Sequence, residues 1–141
     1  MDLKILWMYN DLMDLYGDKG NIQVLKTRAE KRNINVTVKT CSLNEEVDIN
    51  DYDLFFLGGG ADYEQNLIFE DLLKRKESIV NALNHSTTFL LICGGYQLFG
   101  KYYLDQDGNK IDGLGIFDYY TESTDRDHRC IGNIVVEATI N

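Results

Sequence analysis

The sequence lacks proline, has only two histidines and contains no long hydrophobic run. Its longest N-terminal apolar stretch covers residues 5–9 and follows Asp2 and Lys4, which excludes both a signal peptide and a membrane-spanning segment at this position. We therefore expect a cytoplasmic protein with no direct membrane insertion. The pattern offers no physical reason for the lack of proline.

Positive charge is also scarce. The chain has 14 Lys and Arg residues against 23 Asp and Glu residues, which gives a net charge of −9. The densest basic run, Lys74 to Lys76, falls in a predicted helix and is typical of a solvated face. Because binding to nucleic acid depends on clustered basic residues, we expect no nucleic-acid ligand.

Cofactor and metal motifs are missing as well. The three cysteines, Cys41, Cys93 and Cys130, lack the paired spacing of a metal site, and a reducing compartment would keep them as thiols. The stretch Gly95–Lys101 matches part of a phosphate-binding loop, but Tyr102 stands where a Ser or Thr is needed. The sequence thus predicts no metal and no cofactor.

Strand and helix patterns alternate along the first hundred residues. Apolar or alternating runs predict strands at Leu3–Tyr9, Ile34–Thr40, Asp53–Leu57 and Thr87–Ile92, and three- and four-residue periodicity predicts helices at Asn21–Arg32, Tyr63–Asn84 and Gly95–Tyr103. This order predicts an α/β fold with a parallel sheet flanked by helices. The loops after Tyr9, at Gly58–Ala61 and at Cys93 should then share the rim at the carboxyl ends of the strands.

The pattern changes after about residue 104, where turns, glycines and short alternating strands predict a β-rich C-terminal part. The last of these predicted strands is Asn133–Ile140. At this length we expect one domain over residues 1–141. Because an α/β domain usually closes with a further strand or helix, we expect this domain to be incomplete at its C-terminus.

Cys93 ends a hydrophobic run and is followed by two glycines and a predicted helix. This order is typical of a nucleophile elbow, in which a sharp turn exposes the reactive side chain and needs small neighbours. The N–H of Gly94, with that of Gly59 or Gly60, would complete an oxyanion hole worth about 3–4 kcal/mol per donor. The competing interpretation is a buried cysteine at the end of a core strand, a common position for a free thiol.

Cys93, Gly95 and Gln97 give the pattern C-x-G-x-Q, which resembles the nucleophile motif of class I glutamine amidotransferases. The C-G-G-Y-Q form resembles their CobB/CobQ-like branch, which includes cobyric acid synthase. Four more stretches resemble the glutaminase subunits of lipid II isoglutaminyl synthases: Leu15–Asn21, Phe56–Gln65, Gly113–Thr121 and Arg129–Asn133. The resemblance implies a flavodoxin-like three-layer fold over essentially the whole chain.

The resemblance also implies a reaction. Such a subunit hydrolyses L-glutamine to glutamate and ammonia, and a MurT-like synthetase of the Mur ligase family uses the ammonia to amidate D-glutamate of lipid II in peptidoglycan synthesis. Cys93 would form a glutamyl thioester, stabilised by the N–H of Gly94 with that of Gly59 or Gly60. The substrate would be bound by Arg129, Gln97 and the loop at Gly58, and Arg129 suits the carboxylate because its planar fork can hold it bidentately.

One element of the family pattern is absent. The resemblance implies a general-base histidine well beyond the second half of the domain. The sequence ends before that position, and neither His85 nor His128 matches it. Because loss of such a base costs orders of magnitude in rate, we expect residues 1–141 alone to be weak or inactive. Three alternatives stay open: a cobyric acid synthase-like amidotransferase, an elbow-cysteine protein of the PfpI type, and an inactive module that docks onto a partner.

Overall fold

Four parallel strands form the central sheet of the computed structural model, which describes residues 1–85, 87–105, 107–122, 132–133 and 135–137. The strands are β1 (Asp2–Met8), β2 (Asn35–Cys41), β3 (Leu54–Leu57) and β4 (Thr88–Leu91), in the order β2-β1-β3-β4. The helices between them are α1 (Lys19–Glu30), α2 (Asp62–Lys74) and α3 (Lys76–Asn84), and α4 (Gly94–Phe99) follows β4. The predicted α/β fold is confirmed.

Both faces of the sheet are buried at its centre, which explains why β3 and residues 5–8 of β1 are continuous apolar runs. One face packs against α1, and the cluster there contains the strand residues Ile5, Trp7, Leu54 and Phe56 together with Ile22 of α1. The other face packs against α2, α3 and α4. The cluster there contains the strand residues Leu6, Met8, Phe55 and Leu57 and the helix residues Ile68, Leu72, Ile79, Leu98 and Phe99. The sheet is therefore a rigid, doubly covered platform whose carboxyl edge can position loops.

All three predicted helices have different bounds, and the first is shifted by two residues, from Asn21–Arg32 to Lys19–Glu30. The single helix predicted over Tyr63–Asn84 is two helices, because the backbone N–H of Arg75 bonds back to Leu72 and its side chain is held by Asp71 and by the carbonyl of Glu45. The helix predicted over Gly95–Tyr103 stops at Phe99. Gly100 is extended and lies against the ring of Tyr119, so the chain turns there into the next strand.

A second, smaller sheet follows α4. It contains β5 (Tyr102–Leu104), β6 (Lys110–Asp112) and β7 (Thr121–Glu122), with β5 antiparallel to β6 and parallel to β7. This agrees with the β-rich part predicted after residue 104. Of the predicted strand Asn133–Ile140, only residues 133 and 135–137 are described, and none of these is in a strand.

Three loops meet at the carboxyl edge of the central sheet, as predicted. The N–H of Leu15, in the loop after β1, donates to the carbonyl of Gly59 at 3.1 Å, and the N–H of Gly95 donates to the carbonyl of Gly58 at 3.1 Å. The loop after β3 is therefore held between the other two. Within the described part of the chain, no helix has the length and apolar character to cross a membrane.

Candidate active site

Cys93 occupies the turn between β4 and α4 with φ +51° and ψ −114°. A non-glycine residue rarely adopts this conformation, which costs about 1–3 kcal/mol and persists only where the surroundings enforce it. The residue is exposed, so the interpretation of Cys93 as a buried core thiol is wrong. The strained, exposed thiol between a strand and a helix has the geometry of a nucleophile elbow.

The two glycines after Cys93 are required by close contacts. A Cβ on Gly95 would lie 2.7 Å from the carbonyl oxygen of Leu57 and 2.8 Å from that of Gly58. A Cβ on Gly94 would lie 2.8 Å from the side-chain amide of Gln65. The start of α4 thus packs directly against the loop after β3 and against α2, and only glycine fits at both positions.

The glycine loop after β3 has almost all of its peptide groups hydrogen-bonded. The carbonyl of Gly58 accepts from Gly95, that of Gly59 accepts from Leu15, and that of Gly60 accepts from Nε2 of Gln65 at 3.0 Å. The N–H of Gly59 donates to Oδ2 of Asp18 at 2.9 Å. These bonds fix the orientation of each peptide plane in the loop.

Asp18 is a buried carboxylate at the start of α1, with 6% of its surface exposed. It precedes the helix in the capping position but makes no side-chain cap bond there, because its Oδ2 atom is turned toward Gly59. A Cβ on Gly59 would lie 3.5 Å from this Oδ2 atom and 3.4 Å from Sγ of Cys93. Gly59 is therefore the spacer between the carboxylate and the thiol.

One amide of the glycine loop and one of the elbow are not engaged in hydrogen bonds within the described part of the chain. Among the described residues, neither the N–H of Gly60 nor that of Gly94 has an acceptor within hydrogen-bonding distance. The N–H of Gly59, which the sequence offered as an alternative oxyanion donor, is instead donated to Asp18. The geometry thus favours Gly60 over Gly59 as the partner of Gly94.

Gln97 and Gln65 link two helices beneath the elbow. Nε2 of Gln65, in α2, donates to Oε1 of Gln97, in α4, at 3.4 Å. Gln97 also lines a cleft of about 420 Å³ together with Asp62, Tyr103, Thr121 and Glu122. In this cleft Tyr103 donates to Asp62, and burial, followed by that bond, raises the pKa of the Tyr103 hydroxyl above its ordinary value.

The predicted site residues, and the histidines and cysteines that were not predicted to belong to the site, divide into three groups. Cys93, Gly94, Gly59 and Gly60 lie together around the elbow, and Gly58 and Gln97 pack against that group. Arg129, His128 and Cys130 lie outside the described residues. His85 caps α3, at the opposite end of the sheet from Cys93, and Cys41 is buried. No group of three or more His, Cys, Asp or Glu side chains in the described ranges could hold a metal ion.

Sequence reasoning missed Asp18 and Gln65. Both lie in stretches that carried the family resemblance, and Gln65 had a readable signal. It lies on the same helical stripe as Ile68 and Leu72, and a polar side chain on a buried apolar stripe is expected to make hydrogen bonds. Asp18 gave no such signal, because an acidic residue before a helix is an ordinary cap.

The chain belongs to the CobB/CobQ-like glutamine amidotransferase family, whose domain model matches residues 4–140. The fold and the elbow agree with that class. Among curated proteins, the chain is 46% identical over 134 residues to the lipid II isoglutaminyl synthase (glutamine-hydrolyzing) subunit GatD of Streptococcus pneumoniae, covering 95% of this chain and 51% of that protein. It is 43% identical over 137 residues to GatD of Staphylococcus aureus, covering 97% and 56%.

A more distant relative matches only part of the chain. A probable cobyric acid synthase of Methanopyrus kandleri is 38% identical over 60 residues, which is 37% of this chain and 12% of that protein. The chain spans about half the length of the GatD proteins that it matches. Family membership is thus established for residues 1–141, and the similarity to GatD extends over nearly all of them.

Proposed function

We propose that this chain carries the nucleophile half of a glutaminase site that supplies ammonia to a synthetase. The observation that supports this most strongly is the exposed Cys93 on a strained elbow beside the glycine loop, with the amides of Gly60 and Gly94 not hydrogen-bonded to any described residue, in a chain of the amidotransferase family. A thiol and two convergent backbone donors are the groups that acyl transfer from an amide requires.

The proposed reaction has two stages. Sγ of Cys93 attacks the side-chain carbonyl carbon of glutamine, and the oxygen becomes an oxyanion held by the N–H groups of Gly60 and Gly94. The C–N bond then breaks and ammonia leaves, with the thiol proton transferred to the departing nitrogen. Water adds to the thioester, glutamate is released, and the thiol is restored.

Substrate binding and proton transfer need further groups. We propose that Arg129 anchors the glutamine carboxylate. We also propose that Gln97, which lines the cleft, supports the substrate site. No described histidine is placed to accept the thiol proton, since His85 lies at the far end of the sheet. We therefore expect slow turnover by residues 1–141 alone.

The similarity to GatD supports a proposal for the acceptor of the ammonia. We propose that the ammonia passes to a MurT-like synthetase of the Mur ligase family, which amidates D-glutamate of lipid II in the cytoplasm. The alternative acceptor is a cobyric acid-type carboxyl group, and the similarity to GatD over nearly the whole chain supports lipid II over it.

A coupled assay tests the proposal. The protein is incubated with L-glutamine, with and without a MurT-like synthetase, ATP and lipid II, and glutamate release and lipid II amidation are measured. We expect glutamate release that increases in the complete mixture and is abolished by Cys93→Ala. A chain that binds the synthetase but releases no glutamate in the complete mixture would instead be a docking module.

A further inference from the structure

We infer that Gln65 is a positioning residue that aligns both halves of the oxyanion hole. The inference rests on the proposed function and extends it to a residue that does not touch the reacting atoms. Gln65 is 2% exposed and lies in α2, on the same buried stripe as Ile68 and Leu72. Burying a polar amide on an apolar stripe is unfavourable unless the amide makes hydrogen bonds that compensate for the loss of water.

The amide of Gln65 contacts both segments that carry the proposed oxyanion donors. Its Nε2 atom donates to the carbonyl of Gly60 at 3.0 Å. Its Cδ and Nε2 atoms both lie 2.8 Å from the position that a Gly94 Cβ would occupy, so the amide packs on the α-carbon of Gly94. One side chain therefore bridges the Gly60 end of the glycine loop and the elbow.

The orientation of this amide follows from its partners. The carbonyl of Gly60 and Oε1 of Gln97 can only accept, so the NH2 end of Gln65 must face them. The Oε1 atom of Gln65 is buried and has no hydrogen-bond partner within the described part of the chain. The side chain is thus used for donation to the loop, while its acceptor is left unsatisfied.

The consequence for catalysis is geometric. An oxyanion hole works only when both donors point at the place where the negative charge develops. Leu15 and Asp18 fix the two peptide planes on the N-terminal side of Gly60, and Gln65 fixes the plane on its C-terminal side. Loss of the Gln65 donor leaves the elbow thiol and the bond from Gly95 to Gly58 in place, but removes the bond that holds the carbonyl of Gly60 beside Gly94.

The test compares two electrophiles on the 141-residue chain. A chloromethyl ketone analogue of glutamine reacts when Sγ of Cys93 displaces chloride while the ketone oxygen occupies the oxyanion position. Iodoacetamide reacts when the same atom displaces iodide, and it is small enough to react without the glutamine site. The variants are Gln65→Met, which keeps the volume, and Gln65→Glu, which keeps the shape but lacks the donor. Gln23→Glu, on the exposed face of α1, is the matched control.

We expect the chloromethyl ketone rate to fall about tenfold or more in both Gln65 variants, with the iodoacetamide rate within about twofold of the wild type. Gln65→Glu should regain ketone reactivity as the pH is lowered, relative to Gln65→Met, because a protonated carboxyl group can donate to Gly60. Gln23→Glu should match the wild type with both reagents.

Two results would overturn the inference: an unchanged ketone rate in both variants, or an equal fall with both electrophiles, which would indicate general damage. A failure of the proposed function looks different. In that case Cys93 of the wild type would react with the ketone no faster than the other two cysteines do, and free glutamine would not slow the reaction.

Discussion

The carboxylate of Asp18 and the thiol of Cys93 both lie within 3.5 Å of the position that a Cβ of Gly59 would occupy. The same carboxylate accepts a 2.9 Å hydrogen bond from the N–H of Gly59. A residue from the start of α1 thus sets the backbone orientation beside a nucleophile that follows β4. The amides of Gly59 and Gly60 therefore differ, because the N–H of Gly59 is bonded to Asp18 and that of Gly60 remains available.

Gly59→Ala tests the space beside the thiol. The added methyl group would lie 3.0 Å from Cβ and 3.4 Å from Sγ of Cys93, so it would crowd the approach of a substrate. We expect labelling of Cys93 by the chloromethyl ketone analogue to slow about tenfold or more. Gly20→Ala is the control, because nothing lies within 4 Å of its added Cβ. Equal labelling rates in the two variants would contradict this geometry.

Asp18→Ala and Asp18→Asn test the buried bond to Gly59. Alanine leaves a buried N–H without an acceptor, which costs about 1–3 kcal/mol in the free energy of unfolding. Asparagine keeps a carbonyl oxygen at the same place, so we expect it to lose less than about half as much. Urea unfolding of both variants measures the difference. Equal losses would mean that the hydrogen bond is not what Asp18 contributes.

Gly95→Ala tests the packing of the elbow on the sheet. The new Cβ would lie 2.7 Å from the backbone oxygen of Leu57, which cannot move without disturbing β3. We expect a loss of about 1–3 kcal/mol in the free energy of unfolding, as for other overpacked sites. Gly20→Ala, at an exposed position of α1 with free space around the added methyl group, should instead be neutral or stabilising by up to about 1 kcal/mol. A stable Gly95→Ala variant would show that the elbow can shift.

Acid stability tests the network around Asp71. Burial would raise the pKa of the Asp71 carboxyl, but hydrogen bonds from Arg75 and Tyr9 outweigh it and hold the pKa below its ordinary value. A depressed carboxyl pKa adds stability that is present above the ordinary pKa and is lost as the pH falls through the folded value. The free energy of unfolding should therefore fall more steeply below about pH 4 in the wild type than in Asp71→Asn.

The control for that experiment is Asp51→Asn, an exposed carboxylate in the segment between β2 and β3. This variant should follow the wild-type pH profile. If Asp71→Asn also keeps the wild-type slope below about pH 4, then the network does not hold the Asp71 carboxyl in its charged form.

Much of the fold could be predicted because its signals are local. Residues 5–8 of β1 and all of β3 are continuous apolar runs, and the elbow is a continuous stretch of Cys93 and two glycines. The break between α2 and α3 could not be predicted in this way. It depends on Arg75 reaching the carbonyl of Glu45, which is 30 residues away along the chain.

The orientation of the backbone amides in the site could not be predicted for the same reason. Which glycine of the loop offers its N–H depends on bonds to Asp18 and Gln65, and the bond between Asp18 and Gly59 spans 41 residues. A sequence shows that a loop is rich in glycine but gives no direction for its peptide groups. Orientation of backbone amides emerges only when distant segments pack together.

The most direct test of the account is site-specific labelling. The protein is treated with the chloromethyl ketone analogue of glutamine, with and without excess L-glutamine, and the modified peptides are identified by mass spectrometry. We expect one adduct at Cys93, none at Cys41 or Cys130, and protection by L-glutamine. Labelling of Cys93 no faster than of the other two thiols, without protection, would contradict the existence of a glutamine site at the elbow.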